Sequence, residues 1–301
     1  MCDGLSTETE ARLYAIGATF LTVFISLVTL HDLYFDPLLS KNAPARLKVS
    51  HAAFLFHFVA ATSLTILSLI CYYLCHTTNP GDAEDWALER PDLILVNQYH
   101  ELELKKDEEE GANLPFCKIC NKPKPPRTSH CSRCRACRVR MDHHCDLIGN
   151  CVAYKNHKYF VLYLLYTTIG CLYSVGLQIR FLVHCQQFPR RLKGYPLIFA
   201  GVFTPFALVL ALGVGIGVGV LLGWTLYLML KNQTQVEYVK SEPKGPRNDP
   251  TETRSYSKGV LPNVMHVMGT NPLLWLIPYR ESRQNRRKLS ARKLVRCSWR
   301  A

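Results

Sequence analysis

Residues 117–151 read CKICNKPKPPRTSHCSRCRACRVRMDHHCDLIGNC, and this stretch decides the fold. Eight of its residues are of the kinds that ligate soft metal ions: Cys117, Cys120, His130, Cys131, Cys134, Cys137, His144 and Cys151. Structural zinc takes four Cys or His ligands in a tetrahedron, so these make two complete sets. Cys117-x2-Cys120 and Cys131-x2-Cys134 are knuckle-like pairs, and each needs two more ligands from further along. The spacing alone allows several partitions. Full sets leave no open coordination position, so the metals hold shape and do no chemistry. Lys122–Pro126 contains three prolines and cannot be helical. Close Cys-x2-Cys pairs with such loops suit small zinc-pinned hairpins. The histidines, and free thiols that suit a reducing compartment, argue against a disulfide framework.

One cysteine of the stretch, Cys145, is left over. A spare thiol beside filled metal sites is a candidate nucleophile. A free cysteine titrates near ~8.5 and attacks as the thiolate, so it needs help at neutral pH. Asp142 and His143 supply a base and an acid that orients it. Adjacent histidines on one strand or turn point different ways. One of His143 and His144 can therefore serve metal while the other serves the thiol, and the residues alone do not say which.

Outward from this stretch the chain becomes apolar on both sides. Its 301 residues carry a net charge of +13 and are 48% hydrophobic, but the apolar residues are gathered into Leu13–Leu33, His51–His76, Tyr159–Cys185 and Pro196–Leu230. A bilayer core about 30 Å thick takes about 20 helical residues, and each run is long enough. The first run lacks a basic leader and a small-x-small cleavage site, so it reads as a retained span. Four spans place both termini on one side. The basic tail from Lys231 onward makes that side cytosolic, together with the loop holding the cysteine-rich stretch. The short loops with Lys41, Arg46 and Lys48 and with Arg190, Arg191 and Lys193 go against the rule and are outweighed. The sequon Asn232-Gln233-Thr234 is then cytosolic and unused. Apart from Arg180 the spans carry few ionisable groups, which disfavours a channel or transporter.

The expected organisation is a cytosolic leader and two spans over residues 1–76, a cytosolic connector over 77–113, and a zinc-binding cysteine-rich domain over 114–158. Two further spans cover 159–230 and a basic cytosolic tail 231–301. Asn79-Pro80-Gly81 breaks the chain as it leaves the membrane. The acidic segment Asp82–Gly111 receives no site. Gly213, Gly215, Gly217, Gly219 and Gly223 permit close helix packing. The partly apolar segment Val260–Tyr279, with Trp275, either packs on the cytosolic domain or lies at the membrane interface. No internal repeat is apparent. Arg133, Arg135, Arg138 and Arg140 form a basic run. In a domain tethered between spans it suits lipid headgroups or coenzyme A, and not nucleic acid, unless it is merely a solvated face. Cys71, Cys75, Cys171 and Cys185 read as packing residues, and Cys297 as a possible acylated one.

Asp142-His143-His144-Cys145, within Cys117-x2-Cys120…His130-Cys131-x2-Cys134-x2-Cys137…Cys151…Asn156…Phe160 and between the second and third of four spans, resembles the DHHC family of protein S-acyltransferases (palmitoyltransferases). The resemblance implies an all-α polytopic membrane protein with a cytosolic zinc-binding domain of short hairpins. It implies two structural zinc ions, one on Cys117, Cys120, His130 and Cys137, the other on Cys131, Cys134, His144 and Cys151. Cys145 would be the acyl acceptor, His143 its base and Asp142 the orienting acid. Acyl-CoA, such as palmitoyl-CoA, would be the co-substrate. Partners would be the bilayer and substrate proteins with membrane-proximal cysteines, in an endomembrane such as the endoplasmic reticulum or Golgi. A deep acyl cavity beside Gly170 and Cys171 would be one use of those small residues, helix packing the other. Thr234-Gln235-Val236-Glu237 resembles the family's Thr-Thr-x-Glu element, Asn79-Pro80-Gly81 its Asp-Pro-Gly element, and Asn263 with Val267 and Gly269 its C-terminal packing motif. The departures are Asp146-Leu147 in place of Pro-Trp, which marks a subgroup, Gln235 for the second Thr, and Asn79 for Asp. A carboxylate at 146 would oppose a thiolate or an acyl donor's phosphates unless it points away. Gln235 puts the contact of that element with Asp142 in question. An inactive zinc-stabilised membrane scaffold is the competing reading.

Overall fold

The four apolar runs form α1 (Gly4–Ser40), α2 (His51–Thr77), α3 (His157–Gln187) and α4 (Thr204–Lys231), with one π turn, Phe199–Phe203, leading into α4. The computed structural model describes residues 4–40, 50–82, 116–125, 127–187, 198–241 and 256–279. The connector beyond Asp82, both expected lumenal loops, and the tail from Arg280 with Cys297 lie outside the described residues. By length and composition, Arg12–Phe35, His51–Thr77, His157–Gln187 and Phe199–Lys231 can each cross a membrane. A helix suits that solvent because it satisfies its backbone polar groups internally.

Contacts gather into two compact units, residues 8–73 with 160–225, and residues 74–159 with 226–301 and the first seven. The first unit is built of the helices. Their apolar surfaces supply no drive to associate in lipid, so packing and interhelical hydrogen bonds must do it. Ser26 meets Thr65 and Ser68 meets Thr167 at 2.8 Å, hydroxyl to hydroxyl. Gln178 Nε2 donates to Thr29 Oγ1 and Thr204 Oγ1 to Asp32 Oδ1, each at 2.9 Å. His57 Nδ1 meets the Tyr173 hydroxyl at 2.5 Å. Asp32 is fully buried, an ionisable group within a span that its sequence surroundings did not single out. Of the five glycines in α4, only two have close neighbours. A Cβ on Gly215 would lie 3.0 Å from Cys171 and one on Gly219 3.4 Å from Thr168, whereas Gly213, Gly217 and Gly223 face open space. Gly170 and Cys171 line a small cavity of about 40 Å³ with Thr22, Ser26, Thr65 and Ser68. Cys171 thus serves both packing and cavity. Cys71, Cys75, Cys171 and Cys185 are all buried.

Among the described residues, the second unit holds six short strands paired as three antiparallel hairpins: β1 (Phe116–Cys117) with β2 (Lys122–Pro123), β3 (Thr128–Cys131) with β4 (Ala136–Val139), and β5 (His143–Cys145) with β6 (Asn150–Val152). Two short helices, α5 (Gln235–Ser241) and α6 (Val260–Met268), and a 3-10 turn at Pro272–Leu274 complete it. The breaker after α2 works as its residues dictate. Asn79 Oδ1 accepts from the Gly81 N–H at 2.8 Å, and Gly81 takes a φ of 107° that a side chain would resist. The last carbonyls of a helix lack partners within it. Here Asn150 Nδ2 donates to the carbonyls of Cys75, His76 and Thr78 at 3.0–3.3 Å, and Asn156 Nδ2 to those of Cys75 and Cys151 at 3.2 and 2.8 Å. Gly81 O and Pro80 O accept from Val139 N–H and Lys155 N–H, and Asp82 pairs with Arg138. The hairpins are thereby fastened to the end of α2.

Asn156 is fully buried and also accepts from the Ala153 N–H at 2.9 Å. Asn156→Ala removes this partner from the Cys151 carbonyl and the Ala153 N–H, at about 1–3 kcal/mol each, while Cys75 O keeps Asn150. The variant should lose several degrees of apparent melting temperature in detergent. An unchanged melting curve would show that these bonds contribute nothing.

Candidate active site and metal clusters

The three hairpins are one unit used three times. Cys117 pairs with Lys122, Cys131 with Ala136 and Cys145 with Asn150, while Phe116 pairs with Pro123, His130 with Cys137 and His144 with Cys151. Each position is displaced by fourteen residues from the last. The left-handed residue of each turn follows the same interval: Asn121, Arg135 and Gly149, with φ of 52°, 50° and 66°. The sequence therefore does contain a repeat, and the expectation of none is corrected. It was hidden because only the ligands and the turn residue recur.

That register produces the ligand sets. Cys117 and Cys120 from the first hairpin meet His130 and Cys137 from the second. Cys131 and Cys134 from the second meet His144 and Cys151 from the third. Both follow Cys-x2-Cys-x9-His-x6-Cys, so the several partitions that spacing allowed reduce to one. Within each group the four ligand atoms lie within 4.8 Å of one another. Zinc–sulfur bonds of about 2.3 Å in a tetrahedron place sulfurs about 3.7 Å apart. Cys120 and Cys137 sulfurs are 3.7 Å apart, and those of Cys134 and Cys151 are 3.4 Å. His130 Nδ1 is 3.2–3.9 Å from its three sulfurs, and His144 Nδ1 3.3–3.6 Å from its own. The first sulfur of each knuckle also accepts a backbone N–H, from Cys120 and Cys134 at 3.5 and 3.4 Å. Three thiols and one imidazole at these separations fit zinc.

Cys145 occupies the third hairpin's equivalent of Cys117 and Cys131. Its partner three residues on is Ile148, which is fully buried, where the other hairpins have cysteine. No fourth hairpin follows to supply a His and a Cys, because fourteen residues beyond His144 and Cys151 the chain is already in α3, at Lys158 and Leu165. The spare thiol is the unfilled end of a series of knuckles.

Strand alternation separates the two histidines. His144, opposite Cys151, belongs to the metal cluster. His143 and Cys145 project from the other face of β5. His143 Nδ1 donates to Asp142 Oδ2 at 2.9 Å, and the Cys145 sulfur is close enough to act on the charge of the same imidazole. Burial works to lower the His143 pKa, but Asp142 and Cys145 outweigh it and lift it to about 9. Asp142 is 4% exposed. Burial would raise its pKa, yet the His143 hydrogen bond, nearby positive charge and a backbone N–H hold it at about 2.

That N–H is Gln235's, donating to Asp142 Oδ1 at 2.9 Å. The departure from Thr at 235 therefore leaves the contact intact, because the backbone makes it. Thr234 and Glu237 form a capping box on α5: Thr234 N–H donates to Glu237 Oε2 at 2.9 Å and Glu237 N–H to Thr234 Oγ1 at 3.2 Å. Arg127, which sequence reasoning missed, grips Glu237 with two bonds of 2.6 and 2.7 Å. It also reaches Asn232 and lies 4.3 Å from the Tyr256 ring centroid. Nothing in its local sequence marks it beyond the prolines before it. Asn232 is buried, accepts from Arg127 and Arg140, and donates to Tyr256 O at 2.8 Å. Its sequon is thus inaccessible in the folded chain. Asn263, also buried, donates to Leu230 O at 2.7 Å and closes the tail onto the end of α4.

The basic run divides. Arg140 is buried, which pulls its pKa down to about 10, and Arg138 is engaged by Asp82. Only Arg133 and Arg135 are exposed. Arg133 lies 3.8 Å from one Asp146 oxygen, and the other is 3.4 Å from His144 Nε2, the nitrogen turned away from the sulfurs. A carboxylate behind a metal-binding histidine steadies its ring. The charge introduced by Asp146 therefore faces a cation and a ligand ring. Leu147 is 42% exposed.

Residues 111–242 match the family model described as DHHC palmitoyltransferase. The chain is 33% identical over 232 residues to Probable protein S-acyltransferase 16 of Arabidopsis thaliana, covering 72% of this chain and 75% of that protein. It is 30% identical over 252 residues to Probable protein S-acyltransferase 13 of the same plant, covering 81% and 77%. To Palmitoyltransferase ZDHHC15 of Rattus norvegicus it is 29% identical over 195 residues, 63% of this chain and 55% of that protein. The chain belongs to the DHHC palmitoyltransferase family, and its activity is acyl transfer to proteins.

Two substitutions test this geometry. Proline is tolerated at the first position of a helix but lacks the N–H, so Gln235→Pro removes only the bond to Asp142. A hydrogen bond to a charged group is worth about 1.5–3 kcal/mol, so autoacylation should fall about tenfold or more, while Gln235→Ala stays near wild type. Equal rates for the two would refute a backbone role. Ile148→Cys rebuilds a Cys-x2-Cys pair at Cys145. Cobalt-loaded protein should then gain thiolate charge-transfer absorbance and lose acyl labelling; a variant unchanged in both would show that Ile148 does not keep the thiol free.

Proposed function

We propose that Cys145 carries the acyl group between a long-chain acyl-CoA and a cysteine of a substrate protein. The observation that carries the reading is the line of bonds from Gln235 N–H through Asp142 to His143, with the Cys145 thiol beside that imidazole and outside both metal clusters. Because His143 Nδ1 donates to Asp142, Nε2 is left to take the thiol proton. The Cys145 sulfur attacks the thioester carbonyl, a new carbon–sulfur bond forms, and the bond to coenzyme A breaks. His143 returns the proton to the departing thiolate. A substrate cysteine, deprotonated by the same imidazole, then attacks the acyl-enzyme carbonyl and releases Cys145 as the thiol. One thioester replaces another in each half, so positioning and thiol activation supply the catalysis.

Cys117, Cys120, His130 and Cys137, and Cys131, Cys134, His144 and Cys151, would hold two zinc ions. Bound zinc cross-links consecutive hairpins and, with four protein ligands, offers no open position. Asp146, facing Arg133 and His144, supports an active centre over the scaffold reading. We further assign the hairpin unit, the connector before it and the basic tail to the cytosolic side of an endoplasmic reticulum or Golgi membrane. The positive charge of the tail, and thiols that among the described residues form no disulfide, support that side. Membrane-proximal cysteines of other proteins are the acceptors that a nucleophile so placed would reach.

Cys145→Ser should abolish hydroxylamine-sensitive labelling by a clickable palmitoyl-CoA. His143→Ala should slow it by about 10²–10⁴-fold, the usual contribution of a general base. Labelling that persists at Cys145→Ser would place the acyl group on another residue.

A further inference from the structure

Within Asn271–Tyr279 the large apolar side chains point outward: Leu273 is 85% exposed, Leu276 61%, Ile277 49% and Tyr279 47%. Scattered exposed apolar residues mean little, but a short segment this rich in them marks an interaction surface. The backbone beneath is fixed. Asn271 Oδ1 accepts from the Leu273 N–H at 3.1 Å, and Trp275 and Ile277 N–H groups close turns onto Pro272 O and Leu274 O. Trp275 turns inward and donates through Nε1 to Gly269 O at 2.9 Å. The Lys158 ammonium, on a residue only 4% exposed, donates to Leu274 O and to Tyr279 O, each at 2.7 Å. The loop therefore cannot fold its leucines away.

Lys158 also says what covers them. It is the second residue of α3, a helix long and apolar enough to cross a membrane. Its two bonds hold the loop against the first turn of that helix, where its apolar run begins. Tyrosine at 279 suits that interface. Immediately afterwards, Arg280–Arg300 carries nine Lys or Arg against Glu281 as its one acid. Apolar side chains followed by a polybasic run are the chemistry that seats on anionic lipid.

We propose that Asn271–Tyr279 is a monotopic membrane foot, its Leu273, Leu276 and Ile277 immersed in the headgroup–acyl boundary of an anionic leaflet. Lys158 clamps it to α3, and the basic run after it reads the lipid charge. Of the two expectations for Val260–Tyr279, α6 meets the first, since Asn263 and Met268 are buried in the unit, and the loop takes the second.

The test uses the full chain with p-benzoylphenylalanine in place of Leu273, or of exposed Lys118 as control, in nanodiscs with and without phosphatidylserine. Zinc content checks that each variant is folded. After irradiation, mass spectrometry should find phospholipid adducts at 273 about tenfold above those at 118, rising with phosphatidylserine, as attraction of the basic run to anionic lipid requires. Adducts no more frequent at 273 than at 118, yields indifferent to phosphatidylserine, or cross-links to a second copy in place of lipid would each overturn the proposal.

Discussion

Every feature of the site depends on one constraint: each four-ligand set is drawn from two consecutive hairpins. The first knuckle takes its remaining ligands from the cross-strand pair His130–Cys137, and the second from His144–Cys151. A metal bound in either set therefore fixes one hairpin against the next. The strands are too short to do this alone; β1 and β2 have two residues each and β5 and β6 three. Two-stranded hairpins of that length are marginal in water without further support. The position of Cys145 follows from the same arithmetic. It stands where a knuckle cysteine stands, on a turn already shaped to present a sulfur, with the later ligands replaced by Ile148 and by the start of α3.

The second support comes from the chain after α4. The capping box of Thr234 and Glu237 orients the first N–H of α5 toward Asp142, and Arg127 locks Glu237 from the side of the hairpins. Asp142 thus has one oxygen for the helix and one for His143. A carboxylate so filled stays ionised although buried, and the imidazole it holds is fixed in tautomer. Asn150 and Asn156 tie the same hairpin to the carbonyl end of α2. The Cys145 thiol is positioned by groups from four parts of the sequence.

Much of this was legible beforehand. Four spans follow from run length, because apolar stretches of that size have one solvent that suits them. The eight ligands and the spare cysteine follow from counting. The partition was legible too, through the fourteen-residue interval, but only once three left-handed turns and the cross-strand pairs were seen to share it. Strand alternation explains why His143 and His144 part company, and a sequence cannot display a strand of three residues. Arg127 was invisible, since its role arises from contacts with Asn232 and Glu237 more than a hundred positions away. Gln235 shows the opposite error: a side-chain comparison raised a question about a bond that the backbone makes.

The central claim is that one cysteine of this metal-rich segment remains outside the metal and receives the acyl group. Native mass spectrometry of the intact protein after exposure to palmitoyl-CoA, followed by peptide mapping, measures both halves at once. The account predicts two zinc ions retained per chain and a single thioester-linked acyl group on the peptide containing Cys145. A third metal ion, or an acyl group on any other cysteine while Cys145 stays unmodified, would contradict it.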